Sequence, residues 1–590
     1  MGTISDKLMR IINTKEDIRQ ALISKGYDVP TSIPFKEYAK MILDLPCKVD
    51  SFPDIEGIVA RYSASGLTNE QMAANPVWVD KTGNGHDLQM KNFFWGGMSG
   101  VGGYVDNWNS SADWAVNSYW VNSHTDHKLQ FITASTVVQV KSKNVYNAEN
   151  VYKNILNVNG LTEAVNKGAV SSLEIFVTDS ITSKVIKIFS FETDGVIQIS
   201  FDDVLQDYYV NYFVTGNNTN DIDITIEQLP LYPGALVFDG VDDYGTCDNF
   251  PILTKEKGYT VVALRQWIEE KNDSTALVSN CKNWNQDGAF LFEYNNLRIN
   301  FLNVAISFGH VSPVDRGKSP FSYQTSKLYN GKNIKPGSFI GSNELVVGKG
   351  NKDFPTVSNA AIWEIVILDH DATEEELTKI KDYFVKTYPW LFPDQAWTVV
   401  GKTNEDEDRA TIANITGNGN NLVLSNFGFA EGSGYNEEGQ YAGYLVTDGV
   451  DDKIASSDFK MGKDFTIVGD WKFIDNKKSG TGLVKGSSFY IYNTMIGLDL
   501  YINSGSVKNS LDGIKSINAA CSDGRAYDRN WNEILANTGN VVGSGGILEV
   551  SSSGGRFDRI AFKNLAIYPR ILSKDDCIKA YNYLQTLKSK

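Results

Sequence analysis

The chain is short of cysteine and of positive charge, and each shortage closes off a class of protein. It has 5 Cys in 590 residues. Cys47, Cys247, Cys281, Cys521 and Cys577 are odd in number and widely spaced, which fits neither a disulfide framework nor a zinc-ligand pattern. Folding in a reducing cytoplasm is therefore expected. Lys and Arg number 55 against 71 Asp and Glu, for a net charge of −16, and the basic residues do not cluster. Nucleic acid needs a concentrated cationic surface to displace its counterions, so it is excluded as a partner. No apolar run approaches the length of a membrane span and the N-terminus has no apolar core of a signal peptide, so neither membrane insertion nor signal-directed secretion is expected. Chemistry-bearing signatures are also missing: there is no nucleophile elbow, phosphate loop or zinc motif. An E-x-D-x-x-E run, which would set two carboxylates on one strand face, is absent too. Glu405-Asp406-Glu407-Asp408 is acidic, but it reads as a loop. The expectation is that the chain is not an enzyme.

What is present is apolar content of 42%, aromatic content of 12% and 51 Gly. Short β-branched and aromatic runs, separated by Asn, Ser, Asp and Gly, indicate a mainly β chain with tight turns. The length suggests about three or four domains. The chain also repeats itself. Phe238-Asp239-Gly240-Val241-Asp242-Asp243-Tyr244 returns as Thr447-Asp448-Gly449-Val450-Asp451-Asp452-Lys453. Thr82-Gly83-Asn84-Gly85 returns as Thr416-Gly417-Asn418-Gly419, and a helix starting at Thr373 is answered by one starting at Ser573. Gly83 and Asp239 stand about 156 positions apart, Gly417 and Asp448 about 31. The first copy therefore carries a guest between motifs that are neighbours in the second.

The expected divisions are a helical segment over 1–46, a first sandwich over 50–394 split as 50–117 and 231–394, an inserted β-sandwich over 118–230, and a second sandwich over 395–590. Within the guest, Val185 to Ser190 alternates and turns at Thr193-Asp194-Gly195 into Val196 to Phe201, a hairpin signal. Ile222, Ile224 and Ile226 alternate with polar residues, as in a strand with one wet face. In the N-terminal segment Ile4, Leu8, Ile11, Ile18 and Leu22 form an apolar stripe at helical spacing. Some forty residues cannot bury a self-sufficient core, so these five side chains are expected to contact copies of the chain or another protein. The alternative is a helical cap on the first sandwich.

Ala21-Leu22-Ile23-Ser24-Lys25-Gly26, followed by Val29-Pro30 and Pro34-Phe35-Lys36-Glu37-Tyr38, resembles the leader of structural proteins from tailed phages of gut Bacteroidetes, crAss-like phages among them. The resemblance implies a virion-anchoring segment ahead of a fibre or appendage body, reached by lysis of the host. Asp80 to Gly85, the Asp239 to Tyr244 turn and Arg570 to Ser573 resemble the concanavalin A-like, laminin-G-like jelly roll. That resemblance implies two such sandwiches and a lectin-like role, although the fold also serves glycosidases and structural modules.

Two sets of residues are candidates for a site. Asp239, Asp242 and Asp243, with Asp448, Asp451 and Asp452, are possible oxygen ligands for Ca2+; alternatively they build their own turns. Trp95, Trp108, Trp114 and Trp120, among Gly, Asn and Ser, either stack on sugar rings or pack between the first sandwich and its guest. His124, Asp126 and His127 form a compact trio that reads as surface. The resulting expectation is a virion structural protein, a head or tail fibre subunit exposed on the particle. It would be homo-oligomeric, with a trimer the first guess, attached to other virion proteins through 1–46 and displaying lectin-like domains to host-surface or mucus glycans. A bacterial carbohydrate-binding surface protein is the alternative, and a polysaccharide-degrading enzyme of the same fold comes third.

Overall fold

A computed structural model describes Lys15 and residues 52–589, apart from 117–120, 133–139, 148–151, 202–203, 217–221, 270–274, 282–288, 294–318, 334–341, 354, 431, 437–440, 442, 475–480, 486–488, 494–496, 503–510, 513–516, 529–530, 536–543, 551, 554–555 and 558. The chain divides into two units, Met1–Ile55 and Glu56–Lys590. In the first, Lys15 is helical; Ile4, Leu8, Ile11, Ile18 and Leu22 lie outside the described residues. No helix among the described residues is long and apolar enough to cross a membrane.

The second unit is mainly antiparallel β-sheet, as expected. In the first sandwich, Asn359–Leu368 is the central strand of one sheet. It pairs with Thr260–Glu269, Leu236–Asp239 and Ile58–Ser63. Opposite runs the order Leu291–Phe292, Val278–Ser279, Leu345–Val347, Tyr244–Cys247, Leu88–Lys91, Val77–Trp78. Alternate side chains of the two sheets meet in one core that includes Tyr62, Trp78, Leu88, Val261, Ile365 and Val347, which is the face-to-face packing of a sandwich.

The second sandwich repeats this plan strand for strand in the sheet of its central strand, while the opposing sheet has eight strands against six among the described residues. Ile560–Tyr568 takes the central place and pairs with Thr466–Phe473, Tyr444–Val446 and Gln395–Thr398. Even the irregularity is shared. Leu264 pairs with Glu364 but Arg265 pairs with Ile362; Asp470 pairs with Asn564 but Trp471 pairs with Phe562. Each copy ends in a helix on its sheet. Glu374–Thr387 buries Leu377, Ile380 and Phe384 behind a capping box of Thr373 and Glu376. Lys574–Thr586 buries Cys577, Ala580 and Leu584, with Ser573 accepting from the Asp576 amide.

The guest is a separate sandwich of two five-stranded sheets around its own core. It begins upstream of residue 118: Trp114–Val116 pairs with Val140–Ser142 inside a guest sheet, and Trp108 belongs to the guest core. The expected Val185-to-Phe201 hairpin is not formed. Val185–Phe191 pairs with Val170–Asp179 in one sheet, while Gly195–Ser200 pairs with Lys153–Asn159 in the other. The reason is visible at Asp194, whose carboxylate accepts the Leu161 and Thr162 amides at 2.6 and 3.1 Å. It ties the turn to the start of the short helix Leu161–Asn166 and sends the chain across the sandwich.

The two repeat sandwiches are docked on each other through the C-terminal helix. Gln266 of the first exchanges hydrogen bonds with Thr586 at 2.9 and 3.2 Å. Asn582, 2% exposed, donates to the carbonyl of Pro230, where the guest returns to its host, at 3.3 Å. Tyr568 donates to the carbonyl of Trp390 at 2.8 Å, and the Lys579 ammonium lies 4.5 Å from the Trp390 ring centre. Buried polar contacts of this kind fix orientation.

Candidate functional site

Of the six aspartates of the repeated turn, four are held by hydrogen bonds in and beside the turn, while Asp242 and Asp451 are exposed. Asp239 Oδ1 accepts the amides of Val241 and Asp242 at 2.7 and 3.3 Å, and Asp243 Oδ2 accepts the Asp239 amide at 3.0 Å. Asp243 Oδ1 takes the Ser99 hydroxyl at 3.0 Å. The second copy matches bond for bond: Val450 and Asp451 donate to Asp448, Asp448 to Asp452, and Ser433 to Asp452. Glycine is needed because φ is +75° at Gly240, where a Cβ would lie 2.7 Å from that of Asn359. Each trio brings one oxygen per residue within 4.8 Å. Calcium wants six to eight oxygens, and at each turn both oxygens of the buried aspartate and one of the first are already hydrogen-bonded. The geometry accounts for Asp239, Asp243, Asp448 and Asp452 as turn builders, which leaves each trio short of free oxygens, so saturating calcium is expected to move Tm by no more than about 1 °C relative to EDTA, on the linkage between binding and stability. A larger rise in a thermal melt would restore the calcium reading.

Burial, followed by the neighbouring Asp239 carboxylate, pushes Asp243 up to about 7; burial pushes Asp452 up to about 6 and Asp106 up to about 7. A carboxyl that keeps its proton to higher pH when folded contributes most below its unfolded pKa of about 3.9, and that contribution is lost as pH rises through the folded value. Tm is accordingly expected to fall as the buffer goes from pH 5 to pH 8. Asp243→Asn, which stays neutral, should flatten part of that fall; an unchanged slope would contradict the assignment.

The tryptophans separate. Trp108 and Trp114 are 1% and 3% exposed, their rings packed edge-on to each other and against Tyr212 in the guest core. This corrects the expectation that they meet sugars, because a ring sealed inside a sandwich has no free face. They do not fill the host–guest seam either. Trp95 is half-buried, stacked on Phe93 with centroids 4.7 Å apart, and packs on the first core; its φ of +56° is shared by its counterpart Phe429 at +49°. Trp120 lies outside the described residues.

The Asp126 trio does more than read as surface. Asp126 accepts Asn69 Nδ2 at 2.9 Å and meets His127 Nδ1 at 2.7 Å, and the His127 ring stacks on Tyr104 at 4.6 Å. Asn69 also accepts the Val101 amide, as Asn404 accepts that of Tyr435. The guest has thus attached itself to a polar group that both copies use. Burial acts to lower His127, and Asp126 outweighs it, so the imidazole titrates above its ordinary range.

The candidate site lies at the junction of the two repeat sandwiches, in a cleft of about 240 Å³. Segments of both repeat sandwiches and the linker between them build it. Ser319 and Pro320 precede a strand of the first sandwich, and Lys381 and Val385 come from its helix. Leu391 to Asp394 is the linker, Thr416 and Asn418 belong to the second copy's glycine turn, and Arg570 sits beside the C-terminal helix. Asn418 and Thr416 both donate to the carbonyl of Asp394, at 3.1 and 2.9 Å, which seats the turn on the linker. Arg570 Nη1 donates to the carbonyl of Val385 at 3.1 Å, near the end of the first helix, where carbonyls lack helical partners. In the sequence Arg570 stands out only within the Arg570 to Ser573 motif, and no local signal marks Lys381.

No protein-family model matches the chain, and no characterised protein matches it by sequence. Among solved structures, a Trypanosoma rangeli sialidase aligns at 9% identity over 78% of this chain and 82% of its own, with a TM-score of 0.24. A mutant T. rangeli sialidase displaying trans-sialidase activity aligns at 10% identity over 45% of this chain and 48% of its own, TM-score 0.22, so this chain spans about half of it. A glycosylation-associated protein complex from Streptococcus agalactiae aligns at 11% identity over 38% and 35%, TM-score 0.12. The expectation of a non-enzyme is corrected by these neighbours, since sialidases are among the structures that match; at such TM-scores no catalytic residue is carried over to this chain.

Proposed function

We propose that this chain is a glycan-binding subunit of a phage appendage, with the junction cleft as its sugar site. The cleft carries the reading. Pockets form preferentially where domains meet, with a mostly apolar lining and a few placed polar groups. Here Pro320, Leu391, Phe392 and Pro393 supply apolar surface, and Thr416, Asn418, Lys381 and Arg570 supply polar groups. A sugar ring presents the complementary pair of surfaces, an apolar face and a polar rim. Docking through Gln266, Asn582 and Thr586 fixes the walls before a ligand arrives, which limits the entropy lost on binding. The placement on a particle rests on the resemblance of residues 21–38, and the trimer remains a proposal with it.

The test is a glycan array with the full-length chain, run beside an assay for released sugar. Binding to a defined subset of glycans, weakened by Asn418→Trp at the cleft mouth, is expected; no glycan above background would overturn the reading. Labelling of particles with an antibody against residues 1–46, together with the chain's mass in solution, tests the virion and oligomer parts.

A further inference from the structure

We infer that the ligand of this cleft is an acidic saccharide, one whose ring carries a carboxylate, with Arg570 as its principal recognition group and Lys381 as a second cation. The inference rests on the cleft being the sugar site and goes on to name its substrate class.

The charge balance inside the cleft runs against that of the chain. Overall the protein carries −16, yet the cleft holds Lys381 and Arg570 against the single carboxylate of Asp394. Asp394 is turned to its own neighbour, accepting Gln395 Nε2 at 3.4 Å. Among the described residues neither cation meets a carboxylate within ion-pair distance. Lys381 sits 5.9 Å from the Phe321 ring centre, and Arg570 makes the one hydrogen bond to Val385.

Arg570 is the more telling of the two. Unpaired lysines at a surface are ordinary, but Arg570 is half-buried, and burial holds its guanidinium below its usual range. A cation taken partly out of water is ordinarily matched by an anion or by a full set of acceptors. Capping the helix end through Nη1 accounts for one of its five N–H donors. The fork geometry of the rest matches a carboxylate bidentately, which an ammonium cannot do. The volume points to a small ligand: 240 Å³ lies below the roughly 300–1,000 Å³ of drug-sized sites, so one ring fits better than an extended oligomer.

The probes are two sugars differing only in the group at C6, galacturonic acid and galactose, titrated by calorimetry against the full-length protein. Galacturonic acid is expected to bind more tightly than galactose by about 10-fold or more, the range for a hydrogen bond to a charged group, and the difference should shrink as salt is raised. Arg570→Gln should lose that difference while retaining weak galactose binding. Because Arg570 also caps a helix, Lys381→Gln on the exposed helix surface is the second variant; it should lower galacturonate affinity several-fold with Tm unchanged. Equal binding of the two sugars, or selectivity that survives both substitutions, overturns the inference and leaves the sugar site standing. Displacement by sulfate at the same concentration as galacturonate marks a bare anion site and overturns it as well. Failure of both sugars, together with a blank glycan array, removes the proposed function itself.

Discussion

Glu293→Ala is expected to destabilise the first sandwich by about 3–5 kcal/mol, the cost of leaving a buried cation without its partner. Arg265 and Glu293 are both 1% exposed. Arg265 Nε and Nη2 both donate to the Glu293 carboxylate, the first at 2.8 Å, and the same carboxylate accepts Trp267 Nε1 at 2.7 Å and the Tyr329 hydroxyl at 3.1 Å. One carboxylate therefore joins the strand Thr260–Glu269 to the strand Leu291–Phe292 across the sandwich. Alanine would strand the guanidinium and two further donors in the core. Burial works to raise the Glu293 carboxyl, and Arg265 more than offsets it, so the group is held below the usual carboxylate range. Its stabilisation is therefore present above the unfolded value of about 4.3 and is lost as pH falls through the lower folded one, the opposite slope to that of Asp243. Urea melts of Glu293→Ala and of the double variant Arg265→Met, Glu293→Leu measure the effect. The double variant should recover most of the loss, because two apolar groups leave no charge behind. A loss under 1 kcal/mol in the single variant would refute the account.

The parts of this fold that were legible in the sequence are those in which a side chain bonds its own neighbourhood. Asp239 caps the amides of residues 241 and 242, and Thr373 and Glu376 cap each other. Such motifs carry their structure within a few residues, so their recurrence gave the repeat and its order. Sheet membership is not local. Alternation in Val185 to Phe191 and in Val196 to Phe201 says that each is a strand, but only the docking of Asp194 on a helix some thirty residues upstream decides that they join different sheets. The cleft was invisible for a stronger version of the same reason: its walls come from positions between 319 and 587. Nothing about Lys381 or Arg570 alone marks it; the signal is their meeting without a carboxylate partner in an acidic chain.

Trp108→Ala is expected to cost the guest sandwich about 3–5 kcal/mol, as large-to-small changes of a fully buried aromatic do, and to leave glycan binding at the junction cleft unchanged. Trp108 has its backbone amide on the Asp126 carbonyl at 2.9 Å, while its ring lies 5.5 Å from Tyr212. Tyr212 in turn belongs to a sealed polar group with Tyr152, Asn154 and Asp106: Tyr152 donates to Asp106 at 2.5 Å and Asn154 donates to it at 3.0 Å. A cavity beside that group would loosen a part of the guest whose polar atoms depend on tight packing. The indole N–H finds no acceptor among the described residues, so Trp108→Phe, which removes it while filling much of the space, should cost less than alanine. Had the ring met a sugar, the order of effects would reverse, with affinity falling and the melting curve staying in place. Thermal melts and galacturonate titrations on the same two variants decide between these outcomes, and loss of affinity at constant Tm would return Trp108 to the list of sugar-stacking residues.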